Sequence, residues 1–179
     1  QNVLALTSEY PHHFVAARVI SREQAALSKT IWIDKGSADG LKSGMPVITP
    51  PGLIGRFSDV TWHSAKVLLL IDENSNVDVL IQRTRVQGIV RGAGSRGCIV
   101  KYISKIQDVK EGDTVVSSGM SNIFPKGLLI GRVSYVDRMD VGLFQHIQVA
   151  PFTDFTKIEE VLVLVSETPA APSGKKAAK

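Results

Sequence analysis

The sequence predicts an all-β fold of two small, about six-stranded β-barrels with little helix, on three observations. Short runs of β-type residues recur between Gly, Asp, Asn and Pro along the whole body, as in "TIWID" (Thr30 to Asp34), "VDVLI" (Val77 to Ile81) and "HIQVA" (His146 to Ala150). No window of 12 or more residues keeps a helical period. The chain also repeats itself. "GLKSGMPVIT" (Gly40 to Thr49) aligns with "DVKEGDTVVS" (Asp108 to Ser117), and "GLIGRF" from Gly52 aligns with "GLLIGRV" from Gly127. Gly44 thus corresponds to Gly112, and Gly55-Arg56 to Gly131-Arg132. The offset grows from 68 to 76 residues between these pairs, so the second copy carries an eight-residue insertion containing "GMSNIFP". Copies of roughly 70 to 85 residues exceed solenoid repeats and suit closed barrels, which leave no long strand edge exposed.

Taken in order, residues 1–13 contain Pro11 and no sustained period, and read as a lead-in. Residues 14–82 are assigned to the first barrel and 83–166 to the second, with "VDVLI" matching "VLVLV" (Val161 to Val165) as the closing strand of each copy. "SREQAAL" (Ser21 to Leu27) and "TDFTKIEE" (Thr153 to Glu160) are the stretches suited to short helical turns. Gly44, Gly55, Gly112 and Gly131 are expected at equivalent turns or bends, where positive φ or close backbone approach favours glycine. "DENSNVD" (Asp72 to Asp78) reads as a polar hairpin loop, and "RGAGSRG" (Arg91 to Gly97) as a hairpin turn. Residues 167–179 lack large apolar side chains and are expected to be disordered.

The composition, 44% hydrophobic and 21% charged, is that of a globular domain. The chain starts at Gln1, which suggests a fragment or processed chain, and no signal peptide pattern is present. Its longest apolar runs, "VLLLI" (Val67 to Ile71) and "VLVLV", are five residues each, against the about 20 a membrane helix needs. Of the net charge of +4, Lys175, Lys176 and Lys179 in the tail supply three cations, leaving 18 against 17 acidic residues. That body is too near neutrality for a strong nucleic-acid footprint. A single cysteine, Cys98, excludes an internal disulfide and a cysteine zinc cluster.

Paired β-barrels also house Ser-His-Asp proteases, whose chemistry needs a nucleophilic Ser, a His base and an orienting Asp. His63 in "TWHSAK" follows a strand, but no "GDSGG"-like stretch exists, and "GMSNI" around Ser121 lacks the second glycine of a nucleophile elbow. The adjacent His12 and His13 diverge on a strand and have no carboxylate pair to complete a metal site. "DENSNVD" lacks the glycine and terminal Glu of a calcium loop. "RGAGSRG" runs into a strand, whereas phosphate-binding glycine loops lead into a helix. No catalytic residue, metal or cofactor is therefore expected.

The blocks "IDKGSADGLKSGMPVITPPGLIGRF", "VLLLIDENSNVDVLIQRT", "GIVRGAG", "VKEGDTVVSSGMSNIFPKGLLIGRV" and "QVAPFTDFTKIEEVLVL" occur in an order that resembles the bacterial rod shape-determining family MreC, from about Ala17 to Val165. The resemblance implies barrels like those of chymotrypsin-like folds but without a working triad. It also implies a periplasmic or extracellular location, with an N-terminal membrane helix and most of a coiled coil expected outside this sequence. On that reading residues 1–13 are the end of the coiled-coil linker. The implied role is a non-enzymatic scaffold of cell-wall elongation. Its implied partners are a class B penicillin-binding transpeptidase, MreD, the actin-like MreB system and further copies of itself.

A scaffold acts through different affinities for its partner's states. The insertion is the candidate contact, with Met120, Ile123, Phe124 and Pro125 as its apolar groups; the opposing reading has Phe124 plug the barrel end. The alternative function is an RNA- or polyanion-binding barrel module, using Arg83 to Lys110.

Overall fold

The computed structural model describes residues 13–121, 123–138 and 142–165. They form two closed six-stranded barrels in which every strand pair is antiparallel. The only helical pieces among the described residues are single 3-10 turns at Ser37–Asp39 and Gly94–Arg96. None of the described helices is long and apolar enough to cross a membrane.

The first barrel comprises β1 (His13–Gln24), β2 (Lys29–Ile33), β3 (Pro46–Thr49), β4 (Gly52–Val60), β5 (Ala65–Leu69) and β12 (Glu160–Val165), in the order β1-β12-β3-β4-β5-β2. The second comprises β6 (Asn76–Ile81), β7 (Gln87–Gly92), β8 (Cys98–Lys101), β9 (Thr114–Ser117), β10 (Leu129–Asp137) and β11 (His146–Pro151), in the order β10-β11-β8-β7-β6-β9. Strands β1 to β6 of the first repeat match β7 to β12 of the second, and each barrel has the same cyclic order.

The sixth strand of each repeat is exchanged. β6 lies between β7 and β9 of the second barrel, and β12 between β1 and β3 of the first. This corrects the division at 82/83: the first barrel is residues 13–69 with 160–165, and the second runs from 76 to 151. "VDVLI" and "VLVLV" do occupy equivalent places, each in the other repeat's barrel. The physical reason is that "DENSNVD" is not a hairpin. Its first residues cross between barrels, with Asp72 and Ser75 buried at the junction. The suggested helical turns also differ. Ser21 to Gln24 continue β1, and residues 153–159 form turns that lead into β12. Of the lead-in only His13 is described, as the first residue of β1; residues 1–12 and the tail 167–179 lie outside the described residues.

The glycine pairs stand at equivalent points. Gly44 and Gly112 both have left-handed φ, +90° and +92°. Their N–H groups donate to Phe57 O and Val133 O at 3.0 and 2.8 Å, so the turn hands each chain to the same place on the next strand. Gly55 and Gly131 serve close approach. A Cβ at Gly55 would lie 2.0 Å from Leu68 O, and one at Gly131 2.3 Å from Ala150 O. Both flank a bulge, with Ile54 and Ile130 as the extra, fully buried residues. A second bulge follows at Ser58 and Ser134, whose hydroxyls donate to Lys66 O and Gln148 O across the sheet.

Alternation along β5, β8 and β11 turns one face inward, and Ile31, Ile33, Phe57, Val67 and Leu69 fill the first barrel. Val79, Ile81, Val90, Val115, Ile130 and Ile147 fill the second. Each large apolar side chain so buried contributes roughly 1.5–3 kcal/mol. The cores are continuous across the junction.

Gly55→Ala and Gly131→Ala force a methyl into a backbone carbonyl and are expected to lose about 3 kcal/mol or more, at the upper end of overpacking effects. Gly44→Ala and Gly112→Ala meet nothing within 4 Å and carry only the left-handed backbone penalty, about 1–2 kcal/mol. Urea denaturation of the four variants checks this ranking; equal losses contradict it.

Candidate functional site

The insertion is the long connection between β9 and β10, residues 118–128, where the first barrel turns through Pro50-Pro51 alone. Ser117 organises it. Its hydroxyl donates to Pro125 O at 2.5 Å and accepts from Leu128 N at 2.8 Å, and its side chain is fully buried. Backbone bonds from Ser117 N to Leu128 O and from Gly127 N to Ser117 O close the base of the loop. The equivalent residue in the first barrel is Thr49, whose hydroxyl likewise donates across its turn to Gly52 O. Ser118 accepts from Met120 N and Ser121 from Ile123 N, so these hydroxyls shape turns.

The structure separates the four residues that the sequence groups. Met120 and Ile123 are exposed, at 67% and 39%, and Pro125 is half-buried. Phe124 is only 5% exposed and belongs to the core, which corrects the expectation of an exposed aromatic anchor. The ring faces inward because the Ser117–Pro125 bond draws the end of the loop onto the barrel. Phe124 plugs; Met120 and Ile123 remain as surface.

A larger apolar surface lies elsewhere on the second barrel. Tyr102, Tyr135, Leu143 and Phe144 line a groove of about 650 Å³ over β8, β10 and β11, and their exposures run from 46% to 78%. Tyr102 and Phe144 meet edge to face, with centroids 5.8 Å apart and planes at 89°. Tyr102 holds a φ of +71°, strained for a bulky residue. An isolated bridge between Ser104 and Phe144 ties the two loops together. Beneath, Gln145 is buried; its amide donates to Ser104 O and Gln107 O at 2.8 and 2.9 Å, while its Oε1 has no partner. Sequence reasoning missed this surface because its members come from three separate segments. The one local signal was "GLF", Gly142 to Phe144, an apolar pair just before a strand.

Among the described residues the sequence-named histidine and serine stay apart. His63 sits in the β4–β5 turn of the first barrel, edge to face with Trp62 at 5.9 Å, whereas Ser121 lies on the β9–β10 loop of the second. Among the described residues no hydrogen bond joins His63 to a serine or an aspartate, and no cluster of three metal-binding side chains occurs. Burial pushes the Cys98 thiol up to about 12, which leaves it an unreactive core group. Two arginines of the Arg83 to Lys110 stretch make hydrogen bonds within the protein. Arg83 donates to both oxygens of Asp108 and both of Asp113, at 2.7 to 3.3 Å, pinning the β6–β7 turn to the loop before β9. The guanidinium holds both carboxyls below the ordinary carboxylate value of 3.8. Arg91 donates to Glu73 O. A polyanion thus loses its leading cation.

Two linked six-stranded barrels that exchange their closing strands and carry exposed apolar side chains define the fold class. Residues 19–165 match the family model "Rod shape-determining protein MreC, barrel core". This chain belongs to the MreC family, whose members are shape-determining structural proteins rather than enzymes. It is 31% identical over 168 residues to the cell shape-determining protein MreC of Caulobacter vibrioides, covering 89% of this chain and 49% of that protein. The chain spans about half the length of the curated relatives it matches. The crystal structure of MreC from Pseudomonas aeruginosa superposes with a TM-score of 0.81 at 29% identity, covering 85% of this chain and 99% of that one. A Helicobacter pylori complex between the penicillin-binding protein PBP2 and MreC matches at TM-score 0.65, with 86% and 99% coverage. At 16% identity that likeness establishes the fold alone.

Phe124→Ala is expected to lose about 3–5 kcal/mol of folding stability through lost burial and a residual cavity, while Met120→Ala stays within about 0.5 kcal/mol. Thermal melts of both check it, and similar small shifts would return Phe124 to the surface. The Arg83 cluster adds acid sensitivity. Carboxyls depressed in the folded state stabilise it fully above their unfolded value near 3.8, and that contribution fades as pH falls through the lower folded values. Arg83→Gln is expected to flatten the stability profile below pH 4, measured by urea midpoints across the acid range; an unchanged profile contradicts the assignment.

Proposed function

We propose that this chain is the partner-binding barrel pair of a cell-wall elongation scaffold, and that a class B penicillin-binding transpeptidase is the partner it holds in a synthesis-competent arrangement. The observation that carries this reading is family membership across both barrels, from residue 19 to residue 165. The Helicobacter pylori relative, of the same fold, was solved with a penicillin-binding protein, which supports the choice of partner.

The contact surface we assign is the groove of Tyr102, Tyr135, Leu143 and Phe144. Aromatic anchors beside aliphatic ones, ringed by polar groups such as Lys101 and Gln148, have the composition of a binding hot spot. Met120, Ile123 and Pro125 on the β9–β10 loop form a second, smaller patch for the same kind of partner. Phe124 supports that loop from inside. Binding at such surfaces biases a partner only if its two states fit differently.

Links of the parent protein to MreD, to the MreB system and to further copies of itself belong to the same proposal. So do its location on the periplasmic or extracellular face and its anchoring by an N-terminal membrane helix. These rest on the family resemblance.

Co-purification of this chain with the extracytoplasmic part of a class B penicillin-binding protein tests the reading. The wild-type chain is expected to retain the partner, and Tyr102→Ala or Leu143→Ser to weaken it by about 1–3 kcal/mol without changing the melting temperature. Failure of the wild type to retain it, or full binding by both variants, contradicts the proposal. A steep salt dependence of RNA binding would favour the polyanion reading instead.

A further inference from the structure

The barrels are joined by two crossover segments, and both are gripped by the same element. The first crossover, residues 70–75, carries the chain from β5 to β6; the second, residues 152–159, carries it from β11 back to β12. Beyond Val19 strand β1 leaves β12 and pairs only with β2, so Ser21 to Lys29 form a hairpin arm, which Thr30 to Ile33 tie to β5. The arm is stiffened by a bond from Thr30 Oγ1 to Glu23 Oε1 at 2.9 Å and by a turn closed from Ala25 N to Ser28 O.

On one side the arm holds the first crossover. Asp72 is 1% exposed, and its carboxylate accepts from Lys29 N in the arm and from Asn74 N in its own segment, both at 2.7 Å. Glu73 N donates to Leu27 O at 3.0 Å. On the other side the arm holds the second crossover, where the Arg22 guanidinium donates to Phe155 O and Ile158 O. The tip also reaches the second barrel itself. Ala26 O lies 2.3 Å from where a Cβ on Gly94 would be, and Gly94 N donates to Ile71 O at 2.7 Å.

We propose that the β1–β2 arm is a strap that fixes the orientation of the second barrel on the first, with Asp72 and Arg22 as its two latches. Two chain connections alone leave rotation about the line that joins them. The arm binds each connection to the first barrel's sheet and adds a further contact at Gly94. Such bonds are buried or bridge to backbone carbonyls, so losing one leaves a polar group unpaired and favours a different arrangement. Because the arm is the continuation of β1, displacement along β1 acts on both latches together. The orientation of the second barrel, which carries both apolar surfaces, is thereby coupled to β1 of the first. This goes beyond the assignment of a partner and does not depend on it.

The test is the distance between spin labels on the two barrels of the intact chain, at Asp59→Cys and Gln148→Cys; both sites are exposed, and the native Cys98 is buried. Electron–electron double resonance is expected to give a single narrow distance for the otherwise native chain. With Asp72→Asn or Arg22→Ala the distribution is expected to widen at least twofold, while circular dichroism stays native. Glu111→Ala, remote from the arm, serves as control and leaves the width unchanged. Unaltered distributions in both latch variants overturn the proposal, as does equal widening in the control. If Asp72→Asn does not fold, Arg22→Ala, on an exposed residue, decides alone.

Discussion

A barrel has no free edge only while its last strand is in place, and each repeat here gives that strand to the other. β12 closes the first barrel by pairing with β1 over six positions and with β3 over two. β6 closes the second between β7 and β9. Without the exchanged strand each barrel would present two unpaired edges and an open core, a template for aggregation. The other features follow from it. The chain must cross between barrels twice, both crossovers must be seated, and buried groups such as Asp72 satisfy the crossover backbone. Gly52 allows the starts of β4 and β10 to approach, since a Cβ there would stand 2.8 Å from Leu129 O.

The repeat was legible because its glycines answer backbone demands that side chains cannot meet. Gly44 and Gly112 sit at matching left-handed turns, and Gly55 and Gly131 at matching close approaches. Strand character was legible from alternation, and "VDVLI" with "VLVLV" were paired correctly as equivalents. Their exchange was not legible, because periodicity encodes which face of a strand is buried and not which sheet receives it. The serines of the second bulge, Ser58 and Ser134, follow the same offset as the flanking glycines, a signal visible in "GRFS" and "GRVS". The anchor role given to Phe124 failed for a related reason. An apolar residue in a loop reads the same whether it turns outward or is drawn in by a buried hydroxyl such as that of Ser117.

Functionally, the molecule separates rigidity from recognition. The barrels and their junction hold a fixed frame, and the apolar surfaces lie on loops at its periphery: residues 118–128 on one connection, Tyr102 and residues 143–144 on others. Strain is found there too, in the positive φ of Tyr102. Such a division suits a protein that presents surfaces and carries out no chemistry.

Strand exchange makes the two barrels one cooperative unit. Differential scanning calorimetry of the intact chain tests it most directly, through the ratio of calorimetric to van't Hoff enthalpy. A single transition with the two enthalpies equal is the predicted result. Two separable transitions, each carrying the heat of one barrel, would contradict it.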